Sequence, residues 1–101
     1  MKSLPANVHP YRRTPEFTEA TVPSGLRRDH TTKSGVWGVI HVTQGSLEYH
    51  ILEPAEERHL LTPDKLGIVE PTMRHQVVPL GPVRFYVEFH AATSEAGVPH
   101  H

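Results

Sequence analysis

A short apolar run, Gly67-Ile68-Val69, ends in Glu70 and Pro71, and His75 follows after Thr72-Met73-Arg74. A carboxylate, a proline that turns the chain and an imidazole that opens the next strand are the residues with the most chemistry in this sequence. Two donors from one tight turn can converge on one point. Carboxylate oxygen and neutral imidazole nitrogen suit Zn, Fe, Mn, Ni or Cu without choosing among them. A third ligand must come from elsewhere, and the best donor is His30, in Arg27-Arg28-Asp29-His30-Thr31-Thr32-Lys33. Two imidazoles and one carboxylate would leave coordination positions open. With Fe(II) that set is the facial triad of oxygenases, and with Zn it can polarise a carbonyl or acidify bound water.

Each of these residues also has a plainer reading. His75 can cap a turn by hydrogen bonding, and His30 can sit in a solvated charged loop. Glu70 can point outward and pair with Arg74 or Lys65. A carboxylate closing an apolar strand is costly to bury unless it is paired or coordinated, which favours the ligand reading. His41 shares strand parity with Trp37 and Val39, making it a reserve ligand or a pocket wall. His50 shares parity with Glu48 and is expected to be exposed, as are His9, His59 and His90. Trp37, Met73 and Tyr86 either line an apolar mouth or pack in the core. Arg28, Lys33 and Arg74 either attract an anion or are simply solvated.

The elements that must carry these residues are strands. Val36–Thr43 is β-branched and aromatic, and Gln44-Gly45 is expected to turn it into Ser46–Leu52 as a hairpin. Glu53–Arg58 reads as a charged connection with room for a brief helical turn, and His59–Thr62 as a short strand stopped by Pro63-Asp64. His75–Val78 is another strand, and Leu80-Gly81-Pro82 is expected to turn the chain into Val83–Phe89. The odd positions of that last strand, Val83, Phe85, Val87 and Phe89, form one apolar face. Six or more short strands with turn signals between them predict an all-β antiparallel sandwich or barrel.

The chain has 101 residues, 10 prolines and 7 glycines, enough for one domain and unfavourable to long helices. Its domain is expected to have a core over about 24–90, an irregular wrapping arm over 1–23 and a loose tail over 91–101. A formal charge of −1, with no basic stripe, argues against nucleic acid. No stretch has membrane-spanning length or a secretory-signal core, so the expected setting is cytoplasmic. Cysteine is absent, which removes disulfide and thiolate chemistry. His100 and His101, a purification remnant or frayed tail, are kept out of the site.

The order His30, Gly45, an apolar strand, Pro71 and His75 is similar to the cupin superfamily of jelly-roll barrels. His75 matches the second-motif histidine, Glu70 falls where many cupins carry proline, and Thr72 replaces the usual glycine. Gly38 stands where the first motif would have its glutamate. Within that superfamily the chain resembles the small cupin-like domain at the N terminus of some tellurite-resistance TehB proteins. The matching residues are Leu4-Pro5, Thr14-Pro15, His30–Trp37, Gly45-Ser46-Leu47, Ile68–Pro71 and His75.

The resemblance implies a cupin-like jelly roll with a pocket around a divalent metal, zinc or iron, held by His30, Glu70 and His75. His41 stands in reserve, and Trp37, Met73, Tyr86 and Arg28 are at the pocket. The function implied is binding of a small molecule or anion, linked through the family name to tellurite or other stress resistance. A mononuclear metal oxygenase or hydrolase at the same three residues is the alternative, and a sensor or interaction module with a structural metal is a third reading. A homodimer is expected, because small barrels expose sheet edges. The chain lacks the strand, glycine-rich loop and helix that would hold S-adenosylmethionine, so methyl transfer is not expected of it.

Overall fold

In a computed structural model, which describes residues 1–28, 30–53 and 55–92, the chain forms six antiparallel strands. These are β1 (Val8–Arg13), β2 (Phe17–Thr18), β3 (Trp37–Ile51), β4 (Glu57–Leu61), β5 (Gly67–Val69) and β6 (His75–Ala92). The one helical element among the described residues is a 3-10 turn at Ser24–Arg27, so no helix there is long and apolar enough to cross a membrane. The strands belong to one sheet in the order β1-β6-β3-β4, with β2 also on β6 and β5 also on β3.

Two long strands organise everything else. β3 and β6 pair from Trp37↔His90 to Ile51↔His75, and neither is a hairpin. The turns expected at Gln44-Gly45 and at Leu80-Gly81-Pro82 are instead bends within continuous strands. Glycine at positive φ serves a bulge as well as a turn, and here each bend is held open by the other strand. Register shifts fall between Val42 and Gln44, opposite Phe85 and Arg84, and between Gly45 and Leu47, opposite Val83 and Pro79. Bulges at facing positions let a strand pair change direction and carry residues from one layer to the next.

The bulges also switch the inward face of β3. Gly38, Ile40 and Val42 point inward before the bend, and Leu47, Tyr49 and Ile51 after it. On both sides of its exposed bend at Leu80–Pro82, β6 turns odd residues inward, so Val83, Phe85 and Val87 share a core face with Val77 and His75. Both halves of the bent ribbon therefore share one core, completed by Leu61 of β4 and Val69 of β5. The connection after Ile51 is shorter than expected, since Glu57 and Arg58 already belong to β4. The positions of His100 and His101 lie outside the described residues.

The N-terminal segment is tied to the edge of β6. Thr14 Oγ1 accepts the Val87 N–H at 3.0 Å, and the Thr14 N–H donates to the Val87 carbonyl at 2.9 Å. Glu19 reaches the bend, its carboxylate accepting the Val83 N–H at 3.1 Å. That backbone bond, helped by Arg84, holds the Glu19 carboxyl below its ordinary value of 4.5. A depressed folded pKa contributes stability above the unfolded value and loses it as pH falls through the folded one. Glu19→Ala should therefore lower the Tm at pH 7, and the gap from wild type should close as the pH falls below 4.5. A gap that stayed constant in acid thermal melts would show that the carboxylate charge is not what ties the arm to the bend.

Candidate functional site

The structure brings His30 and His75 side by side. They exchange both backbone hydrogen bonds, His30 N–H to the His75 carbonyl at 2.8 Å and the reverse at 2.9 Å. Their rings meet edge to face with centroids 5.4 Å apart. The strap carrying His30 is fixed by Thr32, whose hydroxyl donates to the Val36 carbonyl at 3.0 Å and accepts the Thr72 N–H at 3.3 Å. His75 is buried, and its Nδ1 lies 3.0 Å from the Met73 carbonyl. A carbonyl can only accept, so Nδ1 carries the proton in that bond and the neutral ring has its lone pair on Nε2.

Both imidazoles border a cavity of about 260 Å³ inside the bent sheet. Its walls come from Phe17, Leu26, Ile40, Val69, Val77, Phe85, Val87 and Phe89. Thr14 and Thr32 also reach it, but their hydroxyls are engaged with the backbone. Among the described residues, the two histidines are thus set in an otherwise largely apolar lining. The sequence shows Phe85 and Val87 as part of an apolar strand face and Val77 as a strand residue, without pointing to a cavity. Their shared odd parity with His75 was the signal that they surround the same space.

Glu70 does not join the histidines. Val69 faces the cavity, so the period-two alternation of β5 sends the next side chain to the outside. Its carboxylate lies 3.6 Å from Lys2 Nζ, not beside Arg74 or Lys65, and lines a separate surface hollow with Glu53, Pro71 and Arg74. Arg74 pairs with Glu53. Among the described residues no three His, Asp or Glu side chains are grouped to hold a metal ion, so the set His30, Glu70 and His75 does not assemble as a three-ligand centre.

The remaining expected residues are placed elsewhere. Trp37 and His41 stand on the outer face of β3 because the inward set there is even-numbered. His41 stacks on Tyr86 at 4.7 Å, and the Arg13 guanidinium covers that ring at 4.9 Å. Met73 is buried in the core and contributes its carbonyl to His75 rather than its side chain to a mouth. Arg28 is exposed and lines none of the hollows around His30. His50 and His90, expected at the surface, are buried. His50 is covered after the bend by Gln76 at 3.3 Å, and His90 lies 2.8 Å from Glu88. Tyr49, fully buried beside His75, donates its hydroxyl to the Ile68 carbonyl at 2.9 Å. Burial, then Glu70 and Glu57, push its pKa up, so it remains a donor.

Thr72 has φ of 60°, the left-handed region that a β-branched residue rarely adopts. The left-handed penalty of about 1–2 kcal/mol, less the entropy that glycine adds to the unfolded chain, predicts that Thr72→Gly stabilises the domain by up to about 1 kcal/mol. Denaturant melts test this, and a loss of stability would mean that the Thr72 side chain contributes more than its strain costs.

A bent antiparallel sheet enclosing a small apolar chamber defines a single-domain β protein with an internal pocket. The TehB-like domain profile matches residues 12–87, and the chain belongs to that family. The crystal structure of TehB from Haemophilus influenzae superposes with a TM-score of 0.78 at 26% identity, covering 86% of this chain and 32% of that one. This chain therefore spans about a third of TehB's length. A crystal structure of a protein from E. coli strain K12 matches with a TM-score of 0.82 at 23% identity, over 93% of this chain and 100% of the other, and is similar in fold. Comparison with curated proteins found no match.

Proposed function

We propose that the domain binds a small organic molecule, its body against Phe17, Leu26, Ile40, Phe85 and Val87 and one polar group at His30 and His75. The observation that carries this reading is the apolar chamber of about 260 Å³ with two adjacent imidazoles at its wall. Apolar pockets with a few convergent polar groups are the usual form of small-molecule sites. A bare oxyanion such as tellurite is a poorer fit, since most of its oxygens would face Phe, Leu and Val side chains at a large desolvation cost.

The test is a thermal-shift screen with small aromatic and aliphatic alcohols and acids on wild type, His30→Ala, His75→Ala and His9→Ala. A guest at a hundred times its Kd should add about 2.7 kcal/mol to stability. Losing one hydrogen bond to the guest should weaken binding by about threefold to tenfold in the first two variants and leave His9→Ala unchanged. If no compound raises the wild-type Tm, or all four proteins respond alike, the site is misplaced.

A second reading, a divalent zinc or iron ion at the same two imidazoles, is favoured by the bond from His75 Nδ1–H to the Met73 carbonyl. Metal-ligating histidines are commonly oriented in this way. The guest, rather than Glu70, would supply further ligands. Elemental analysis of protein with His100 and His101 replaced should show one ion lost in His30→Ala and His75→Ala but kept in Glu70→Ala. Equal metal content in all of them would remove this reading and leave the organic pocket standing.

A further inference from the structure

We infer that the molecule bound here is an organic anion whose charged head stays outside the chamber, held by Arg12 and Lys33; this rests on the pocket reading above. A second hollow, of about 430 Å³, lies against the outer side of the His30 strap and is lined by Tyr11, Arg12, Thr31, Lys33 and Val36. It shares His30, Thr32 and Phe89 with the inner cavity, so these three residues separate the two spaces and border both. In this proposal the hollow serves as the vestibule of the chamber.

The whole chain carries a formal charge of −1, yet among the described residues that line this hollow the charged ones are Arg12 and Lys33, with no Asp or Glu. Among the described residues neither cation takes part in an ion pair. The register of β1 on β6 shifts between Pro10 and Arg12. Bulges of this kind re-aim side chains, and this one brings Tyr11 and Arg12 to the rim.

The division of labour follows from solvation. An oxyanion head at the rim keeps part of its water and gains two cations, whereas inside the chamber it would lose its hydration for apolar walls. The apolar part can be modest in size. A cavity of about 150 Å³ takes benzene, so 260 Å³ admits a substituted ring or a short branched chain. The ligand class is therefore a small carboxylate or phosphate ester with one compact apolar body.

Calorimetric titration of matched probes tests this: benzoate and phenyl phosphate against benzyl alcohol, which has the same ring and no charge. Both acids should bind at least about fivefold tighter than the alcohol, and the better of the two identifies the head group. Arg12→Gln and Lys33→Gln should each weaken the acids about threefold to fivefold and leave benzyl alcohol unchanged. The advantage of the acids should shrink at about 0.5 M salt, where screening shortens the reach of exposed charges. Equal binding of acid and alcohol, or equal losses for both in the variants, would overturn the vestibule assignment while leaving the chamber as a site. Acid binding that depends on Arg12 but is indifferent to His75→Ala and to cavity filling would also overturn it, as surface charge attraction alone. If no probe binds, the pocket reading falls together with this one.

Discussion

Gly45→Ala should lower the Tm by more than about 12 °C, the largest effect expected of any single methyl added to this domain. Gly45 has φ of 77°, where an L side chain costs about 1–2 kcal/mol. Its environment makes matters worse. A Cβ there would overlap the Pro82 carbonyl oxygen and come within 3.1 Å of Val83 Cα, both backbone atoms of the facing strand. Neither can move aside as a flexible side-chain end could, so β3 and β6 must separate at the bend. Strain and overpacking together reach about 3 kcal/mol or more, and about 4–8 °C accompanies each kcal/mol in a domain of this size. Gly25→Ala is the matched control, because no atom lies within 4 Å of the Cβ position and φ is not positive. Circular dichroism melts of the two variants should differ widely. If Gly45→Ala melts like wild type, the two strands do not need their close approach at this point.

Phe85→Ala should cost about 3–5 kcal/mol, against a total of about 5–15 kcal/mol for a domain of this length. Phe85 is fully buried, pairs edge to face with Phe17 at a centroid separation of 5.7 Å and lies opposite Val42 just beside the bend. Because its ring is also a wall of the chamber, the space released by truncation joins the proposed guest site. The variant should therefore recover more stability from a bulky guest than wild type does, in the way that engineered apolar cavities accept small aromatic molecules. Thermal shifts with benzyl alcohol and a larger aryl alcohol measure this directly. A variant that is destabilised as expected but gains nothing from the larger guest would separate the core around Phe85 from the guest's space.

These two residues illustrate what was legible beforehand. The odd-position apolar face of Val83–Phe89 was visible as a period-two pattern, and it packs inward. That Gly45 marks a change of direction was equally visible, but the hairpin it suggested is a bulge in a 15-residue strand. A glycine at positive φ permits either outcome, and only the presence of β6 alongside both halves of β3 decides between them. His50 keeps the parity of Glu48, on the face opposite Leu47, Tyr49 and Ile51, and is buried there because Gln76 of the neighbouring strand covers its ring, which parity along β3 does not reveal.

The candidate site divides in the same way. His30 and His75 were recognisable from residue type and from the resemblance to the family motif, and the fold sets them in adjacent backbone register. Glu70 was singled out by the same motif, yet the alternation of its short strand places it on the far side of Val69, against Lys2. The amino-acid sequence alone determined which segments are extended, which faces are apolar and which residues have donor chemistry, because these depend on neighbours along the chain. Which face of each strand turns inward, and hence which donors share a chamber, depends on bulges and on partners tens of residues away. Side-chain direction alternates with a period of two, so one extra residue in a strand is enough to exchange inside for outside.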